Sequence, residues 1–150
     1  MQAAYINPFL TSSCSVIESL IQVKPILGEL KIKNIDLRND YVWLKIGIVG
    51  GLTGDIVFGF PEGVALKIAS AMMGGFTLTE FDELSRSAIS ELANMISGNA
   101  STLLYNDGIA VDITPPAFME RAGMQGNPFK ALTIPLTLHS YGDFDIYVVA

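Results

Sequence analysis

The chain contains 150 residues, of which 50% are apolar, 16% charged and 9% aromatic. This composition excludes a disordered chain and predicts one globular domain over residues 1–150. The single cysteine, Cys14, excludes an internal disulfide and a cysteine-based zinc cluster. The net charge is −6, and the nine basic residues are scattered singly among fifteen acidic ones. This charge pattern argues against a surface that binds nucleic acid or anionic membranes.

The beginning of the chain predicts neither secretion nor membrane insertion. Met1 is followed by polar Gln2 and then by Asn7 and Pro8, not by a cationic residue and a long apolar run. Charged residues interrupt every apolar stretch well before the roughly 20 residues that span a bilayer. A lone cysteine also suits a reducing compartment, so we expect a cytoplasmic protein.

The first part of the chain is predicted to form one helix and then three strands. Asn7 can cap a helix with Pro8 at its first position, and apolar residues recur at helical spacing until Pro25. Alternation of apolar and polar residues predicts the strands, and a glycine-rich run over residues 50–54 predicts a hairpin before the third of them. The predicted strands cover residues 27–35, 41–49 and 55–60.

Two further helices are predicted after these strands. The shorter one opens at Pro61 and closes at Gly74–Gly75. The large apolar residues near its end either fill the core, which we expect, or form part of a contact surface; these are Met72, Met73 and Phe76. The longer one runs to about Tyr105, and two capping pairs compete for its start. These pairs are Thr77 with Glu80 and Thr79 with Asp82.

Three more strands complete the order of elements. They are predicted over residues 109–113, 132–139 and 144–149, and a loop containing Pro115, Pro116 and residues 123–128 separates the first two. The order therefore suggests a duplicated unit of one helix and three strands, with the short helix inserted between the copies. Strands joined by hairpins, with helices packed on the sheet, indicate an α+β fold with an antiparallel sheet.

The long helix has an apolar face and a polar face when it is drawn at about 100° per residue. The apolar face should contact the core and contains Phe81, Ile89, Leu92, Ile96, Ala100 and Leu103. The polar stripe contains Ser87, Glu91, Asn94, Gly98 and Ser101. On the pattern alone this stripe is either a solvated helix face or a site where a carboxylate and a carboxamide grip a cation and orient a water. Mid-helix Asn is a poor helix former and Gly costs about 1 kcal/mol relative to Ala, so close approach of another backbone is one reason for Gly98.

The run Ser87-Ala-Ile-Ser-Glu91-Leu-Ala-Asn94-Met-Ile-Ser-Gly-Asn-Ala100 resembles the motif of the CheC/CheX family of chemotaxis phosphatases. That motif has Asp or Ser, three residues, Glu, two residues and Asn. Residues 60–69, Phe-Pro-Glu-Gly-Val-Ala-Leu-Lys-Ile-Ala, also resemble the segment that precedes the motif helix in the CheX branch. The first helix offers Cys14, Glu18 and Ile21 at the same spacing and lacks the Asn, which favours the single-site CheX branch. Pro115 or Pro116 would correspond to the family's proline beyond the motif.

The resemblance implies hydrolysis of the aspartyl phosphate on a phosphorylated CheY-like response regulator. It implies that Asn94 orients the attacking water, because a carboxamide cannot act as a base at neutral pH, and that Glu91 pairs with the regulator's lysine. Ser87, Gly98 and Ser101 would contact the same partner. The resemblance further implies no cofactor of the chain's own, Mg²⁺ on the regulator, and a homodimer. The alternative is a non-catalytic module that docks a response regulator or a flagellar switch component.

Overall fold

The computed structural model describes residues 3–119 and 130–149, so the predicted loop over residues 123–128 lies outside the described residues. The helices are α1 (Ala3–Ile21), α2 (Glu62–Met72) and α3 (Glu83–Asn106). The strands are β1 (Ile26–Leu27), β2 (Lys31–Asn34), β3 (Tyr41–Gly50), β4 (Gly54–Pro61), β5 (Val111–Ile113), β6 (Ala117–Phe118), β7 (Lys130–Leu138) and β8 (Gly142–Val149). All strand pairs are antiparallel, which confirms the predicted α+β fold.

The sheet combines two similar halves of the chain, of which the first contains β1–β4 and the second contains β5–β8. Its strand order is β1-β7-β8-β4-β3-β5, with β2 also beside β7 and β6 also beside β3. The hairpins β3–β4 and β7–β8 meet in the centre through β4 and β8, and the edge strands of each half pair with the hairpin of the other half. This exchange is the strand arrangement expected of a duplicated helix-plus-three-strand unit. It also separates β2 from β3, which the chain order alone would place side by side.

The prediction of a single strand over residues 27–35 is wrong, because a bulge divides this segment into β1 and β2. The register against β7 shifts by one residue between Leu27 and Lys31. Gly28 lies at the shift and donates its N–H to the carbonyl of Pro135 at 2.8 Å. Pro135 has no N–H to return, so the ladder cannot continue regularly at this point. A Cβ on residue 28 would stand 2.8 Å from the Pro135 ring, and this close approach requires glycine.

The main core lies between the helices and one face of the sheet. Alternate residues of β3 and β4 point into it, including the fully buried Leu44, Ile56 and Phe58. The Phe60 and Phe144 rings from neighbouring parts of the sheet stack with their centroids 4.7 Å apart. Each such side chain contributes about 1.5–3 kcal/mol on burial, so this layer fixes how the helices sit on the sheet.

No helix within the described residues has the length and apolar character needed to cross a bilayer.

A smaller cluster covers the opposite face of the sheet. Trp43, Val57, Ala131 and Tyr147 form it together with Ile35, which belongs to the segment that crosses from β2 to β3. The Trp43 indole N–H donates to the carbonyl of Arg38 at 2.9 Å, which ties this crossing segment down. Trp43 is therefore a buried residue of this outer cluster.

Two helix starts differ from the predicted ones. The described part of α1 begins at Ala3, and Pro8 lies inside the helix instead of opening it. Burial of Ile6 in the core favours this extension, and Pro8 removes only one main-chain hydrogen bond near the start. For α3 neither predicted capping pair is used, because Asp82 itself is the N-cap.

The short helix α2 occupies the predicted segment, but the residues after it differ from expectation. Pro61 is its N-cap, and the chain turns away at Gly74 and Gly75, both with positive φ angles. Met73 and Phe76 are exposed, so the prediction that they fill the core is wrong. The two glycines end the helix before these side chains can reach the apolar layer.

Candidate functional site

Hydrogen bonds at its first turn define where α3 begins. The Asp82 carboxylate accepts the backbone N–H of Ser85 at 3.2 Å, and the buried Ser85 hydroxyl donates to the carbonyl of Glu80 at 2.9 Å. An N-cap of this kind stabilises a helix by about 1 kcal/mol. Because both bonds involve residues before Glu83, they also hold the preceding loop against the helix.

The buried face of α3 matches the predicted apolar sector in four of its six residues. Ile89, Leu92, Ile96 and Ala100 are buried in the main core. Phe81 precedes the helix, and Leu103 is only half-buried while its neighbour Leu104 is fully buried. A helix held by this many buried side chains has a fixed rotation about its axis, so its opposite face is presented outward in a defined direction.

The predicted polar stripe is on that outward face. Ser87, Glu91, Asn94 and Gly98 are exposed, and Ser101 is half-buried. Glu91 and Asn94 lie one turn apart on the same side of the helix. Among hydrogen bonds and ion pairs that involve only described residues, neither side chain takes part. A carboxylate and a carboxamide therefore lie next to each other on an exposed face of α3.

No close approach within the described part of the chain explains Gly98. A Cβ at this position would meet no atom within 4 Å. Its carbonyl accepts the Thr102 hydroxyl at 3.1 Å, an interaction that any residue could provide. The backbone approach predicted for Gly98 is thus not made by these described residues, and this part of α3 has room for another molecule.

A shallow groove runs along α3 beside this pair. Its lining residues include Arg86, Ser87, Ser90, Glu91 and Asn94 on α3 and Phe118 on β6. Two hydrogen bonds fix the chain just before β6: the Gly47 N–H donates to the Thr114 hydroxyl at 2.8 Å, and the Thr114 N–H donates to the Gly47 carbonyl at 2.9 Å. Pro115 and Pro116 follow immediately, so the predicted prolines lie in the connection that carries Phe118 to the groove.

Several residues of this surface were missed by sequence reasoning. Leu84, Met95 and Tyr105 are 45%, 38% and 72% exposed on α3. Arg86 is half-buried, and its guanidinium carbon lies 4.3 Å from the centroid of the Phe118 ring. A signal was available for both groups, because large apolar residues within the polar sector and the one basic residue of α3 are visible in the sequence.

The other candidate chemical groups lie apart from this groove. His139 is exposed just after β7, and Cys14 is a half-buried free thiol on α1. Burial raises the pKa of the Cys14 thiol above its ordinary value, which keeps it protonated and unreactive at neutral pH. Within the described ranges, no three His, Cys, Asp or Glu side chains are grouped to hold a metal ion.

Comparison with known proteins identifies the family. Residues 42–137 match the sequence profile of the family described as chemotaxis phosphatase CheX. The chain belongs to the CheX family. The CheY-P phosphatase CheX of Thermotoga maritima is 34% identical over 150 residues, which cover 99% of this chain and 96% of that protein. The family expected from the α3 motif is thereby confirmed.

Solved CheX structures resemble the fold over almost its full length. In the CheX–CheY–BeF₃–Mg²⁺ complex of Borrelia burgdorferi, the matched chain has a TM-score of 0.79 and 28% identity, covering 97% of this chain and 96% of that one. The CheX of Vibrio vulnificus has a TM-score of 0.82 at 24% identity, covering 98% and 99%, which supports the fold. In this CheX-family chain the α1 residue at the spacing of Asn94 is Ile21, which is buried in the core.

Proposed function

We propose that the chain hydrolyses the aspartyl phosphate of a phosphorylated CheY-like response regulator. The observation that carries this proposal is the exposed Glu91–Asn94 pair on a helix whose other face is buried. The similarity to a CheY-P phosphatase over 99% of the chain supports the reaction class. The acting unit is the single domain predicted over residues 1–150, and the lone Cys14 suits a reducing compartment such as the cytoplasm.

In the proposed mechanism, Asn94 enters the partner's phosphorylation site and holds a water in line with the phosphorus atom. Phosphoryl transfer asks a protein mainly to position the nucleophile and to stabilise charge electrostatically. The carboxamide can both donate and accept hydrogen bonds, but it cannot remove a proton. The buried face of α3 supplies the rigidity that this positioning requires.

Glu91 is the proposed anchor of the complex. Its carboxylate lies on the same side of α3 as Asn94 and would form an ion pair with a lysine of the regulator. Ser87, Gly98 and Ser101 continue the contact along the helix, with Gly98 leaving space for a close backbone. The exposed apolar side chains of Leu84 and Met95 lie on this same face and would exclude water from the interface.

The proposed division of labour leaves the metal to the partner. The regulator supplies both the phosphoryl group and Mg²⁺, while the chain has no cofactor of its own. The related CheX–CheY complex of Borrelia burgdorferi contains Mg²⁺ and BeF₃, a tetrahedral mimic of a phosphoryl group, which supports this division. Mg²⁺ is commonly held by one or two carboxylates together with phosphate oxygens, a set that a phosphorylated partner can offer.

We also propose a homodimer joined at the β1–β2 edge of the sheet. Ile26, Leu27, Leu30 and Ile32 are all exposed along this edge, and Ile32 is 74% exposed. An edge with several large apolar side chains offers both unpaired backbone groups and apolar area to a second copy. This edge is separate from the groove on α3, so a dimer would leave both grooves accessible.

The test uses the CheY-type regulator of the same organism, phosphorylated with acetyl phosphate. It measures how fast the regulator loses its phosphoryl group with and without the purified chain. We expect acceleration by the wild type. Asn94→Ala should lower kcat about 100-fold, because a misplaced nucleophile costs this much, while affinity for the BeF₃ form of the regulator stays within about threefold. Asn106→Ala is the matched control, since it removes an exposed asparagine at the end of the same helix.

The alternative function is a non-catalytic module that docks a response regulator or a flagellar switch component on the same face. It predicts binding of the regulator without faster phosphate loss. Unchanged decay in the presence of the wild-type chain, with binding retained, would contradict the phosphatase and establish the module.

A further inference from the structure

We infer that Arg86 is a partner-binding residue of this groove, which determines affinity for an acidic regulator surface and does not take part in the chemical step. This inference rests on the proposed function. Arg86 lies in the groove together with Glu91 and Asn94, and it is the only basic residue of α3. It also lines the adjoining depression formed by Trp43, Glu62 and Phe81, so its side chain stands at the boundary between the two.

The orientation of the Arg86 side chain is not explained by local ion pairing. Asp82 and Glu83 precede it by four and three residues, a spacing at which a helix normally allows ion pairs. The ion pairs among the described residues are Lys31–Glu29 and Arg38–Asp40, so neither acid of the first turn pairs with Arg86. The guanidinium lies over the Phe118 ring instead.

The position of Arg86 is also unfavourable for the helix. It is the fourth residue of α3, where the helix dipole disfavours a positive charge. Stacking on Phe118 opposes this effect, because a cation–π contact is favourable. Among the described residues, no hydrogen bond or ion pair uses the guanidinium's N–H donors, and these donors are suited to a carboxylate of another molecule.

Distance separates this role from that of Asn94. The two residues are eight positions apart, which corresponds to about 12 Å along the helix axis. With Asn94 at the phosphorus atom, Arg86 would contact the rim of the regulator and not the phosphoryl group. The groove would then combine a negative charge at Glu91 with a positive charge at Arg86, and this order of charges would fix the direction in which the partner docks.

The test is the steady-state hydrolysis of the phosphorylated regulator by Arg86→Ala at low and high salt. We expect KM to rise about tenfold with kcat within about twofold, because a charged hydrogen bond to the partner is lost. KM of the variant should also depend less on salt than that of the wild type. Arg86→Lys should restore part of the affinity, since it keeps the charge without the planar stack.

Two further measurements separate the possible outcomes. Lys45→Ala removes one exposed positive charge from a strand and should leave KM unchanged, which controls for the net charge of the molecule. Titration with the BeF₃ form of the regulator tests Arg86 even if the wild type fails to hydrolyse phosphate, so failure of the proposed function is visible separately. A fall in kcat at constant KM, or equal affinity of wild type and Arg86→Ala, would overturn the inference.

Discussion

At Gly98, the residue that would best stabilise the helix differs from the residue that best suits the proposed interface. Glycine inside a helix is less favourable than alanine by up to about 1 kcal/mol, and no atom of the described residues would oppose a Cβ there. The position is therefore not optimised for stability. Asn94 shows the same divergence more weakly, because asparagine is a poor helix former at an exposed position where charged residues would serve better.

Replacing Gly98 by alanine should separate its effect on helix stability from its effect on partner binding. We expect Gly98→Ala to raise the free energy of unfolding by about 0.5–1 kcal/mol and to raise KM for the phosphorylated regulator severalfold. Urea denaturation and steady-state kinetics measure the two effects. Gly63→Ala is the control, since Gly63 is also exposed and unopposed in a helix, α2, and its replacement should leave KM unchanged. An unaltered KM in Gly98→Ala would remove Gly98 from the docking surface.

At the scale of elements, the edge formed by β1 and β2 is the other surface with a distinct role. Three of its four exposed apolar side chains lie on two short strands, and Leu30 lies in the connection between them that contains the Gly28 bulge. Such interruptions commonly limit uncontrolled pairing of sheet edges. An edge that is apolar yet interrupted is suited to one particular partner instead of many.

Ile32→Lys tests this edge. We expect the dissociation constant of the dimer to rise at least about tenfold, since burial of an isoleucine contributes about 1.5–3 kcal/mol. Sedimentation velocity over a range of concentrations measures the change. Val49→Lys, at an exposed valine of β3, is the matched control and should leave the dimer intact. A wild-type chain that stays monomeric at all concentrations would contradict the proposed dimer.

Strongly periodic elements could be predicted from the sequence, whereas features set by distant partners could not. The buried face of α3 and the β3–β4 hairpin follow from local patterns, and so does the exposure of Glu91 and Asn94. The bulge at Gly28 depends on Pro135, which is more than one hundred residues away. Similarly, Arg86 acquires its orientation from Phe118, on a strand too short to predict. The N-cap of α3 is set locally, but the sequence does not show that Ser85 is buried and bonds to the Glu80 carbonyl, which favours Asp82 as the cap.

At the scale of the whole molecule, the small outer cluster lowers the free energy of unfolding at alkaline pH. Burial and the neighbouring Asp145 raise the pKa of Tyr147 above its ordinary value of 10.0, and burial raises that of Tyr41 in the same direction. The Tyr147 hydroxyl also donates to the Asp145 carboxylate at 3.1 Å. Above pH 10 the unfolded chain loses these protons first, whereas the folded chain retains them, so stability falls as pH rises.

Tyr147→Phe should reduce this dependence. We expect the slope of the unfolding free energy against pH, between pH 10 and 11.5, to become shallower by up to about 1.4 kcal/mol per pH unit. At pH 7 the free energy of unfolding of the variant should be lower by about 1 kcal/mol, because the hydrogen bond is missing. Urea denaturation followed by the fluorescence of Trp43 measures both. Equal slopes in the two proteins would show that Tyr147 keeps its ordinary pKa in the folded state.

The place of β8 in the sheet has a consequence for how the protein is made. This strand comes last among the described strands, yet it lies between β4 and β7 near the middle of the sheet. During translation, the ribosome therefore releases the two flanking hairpin strands before the strand that joins them. Until synthesis passes Val149, the nascent chain has two incomplete half-sheets with unpaired edges, a state in which chaperones are useful and premature termination is harmful.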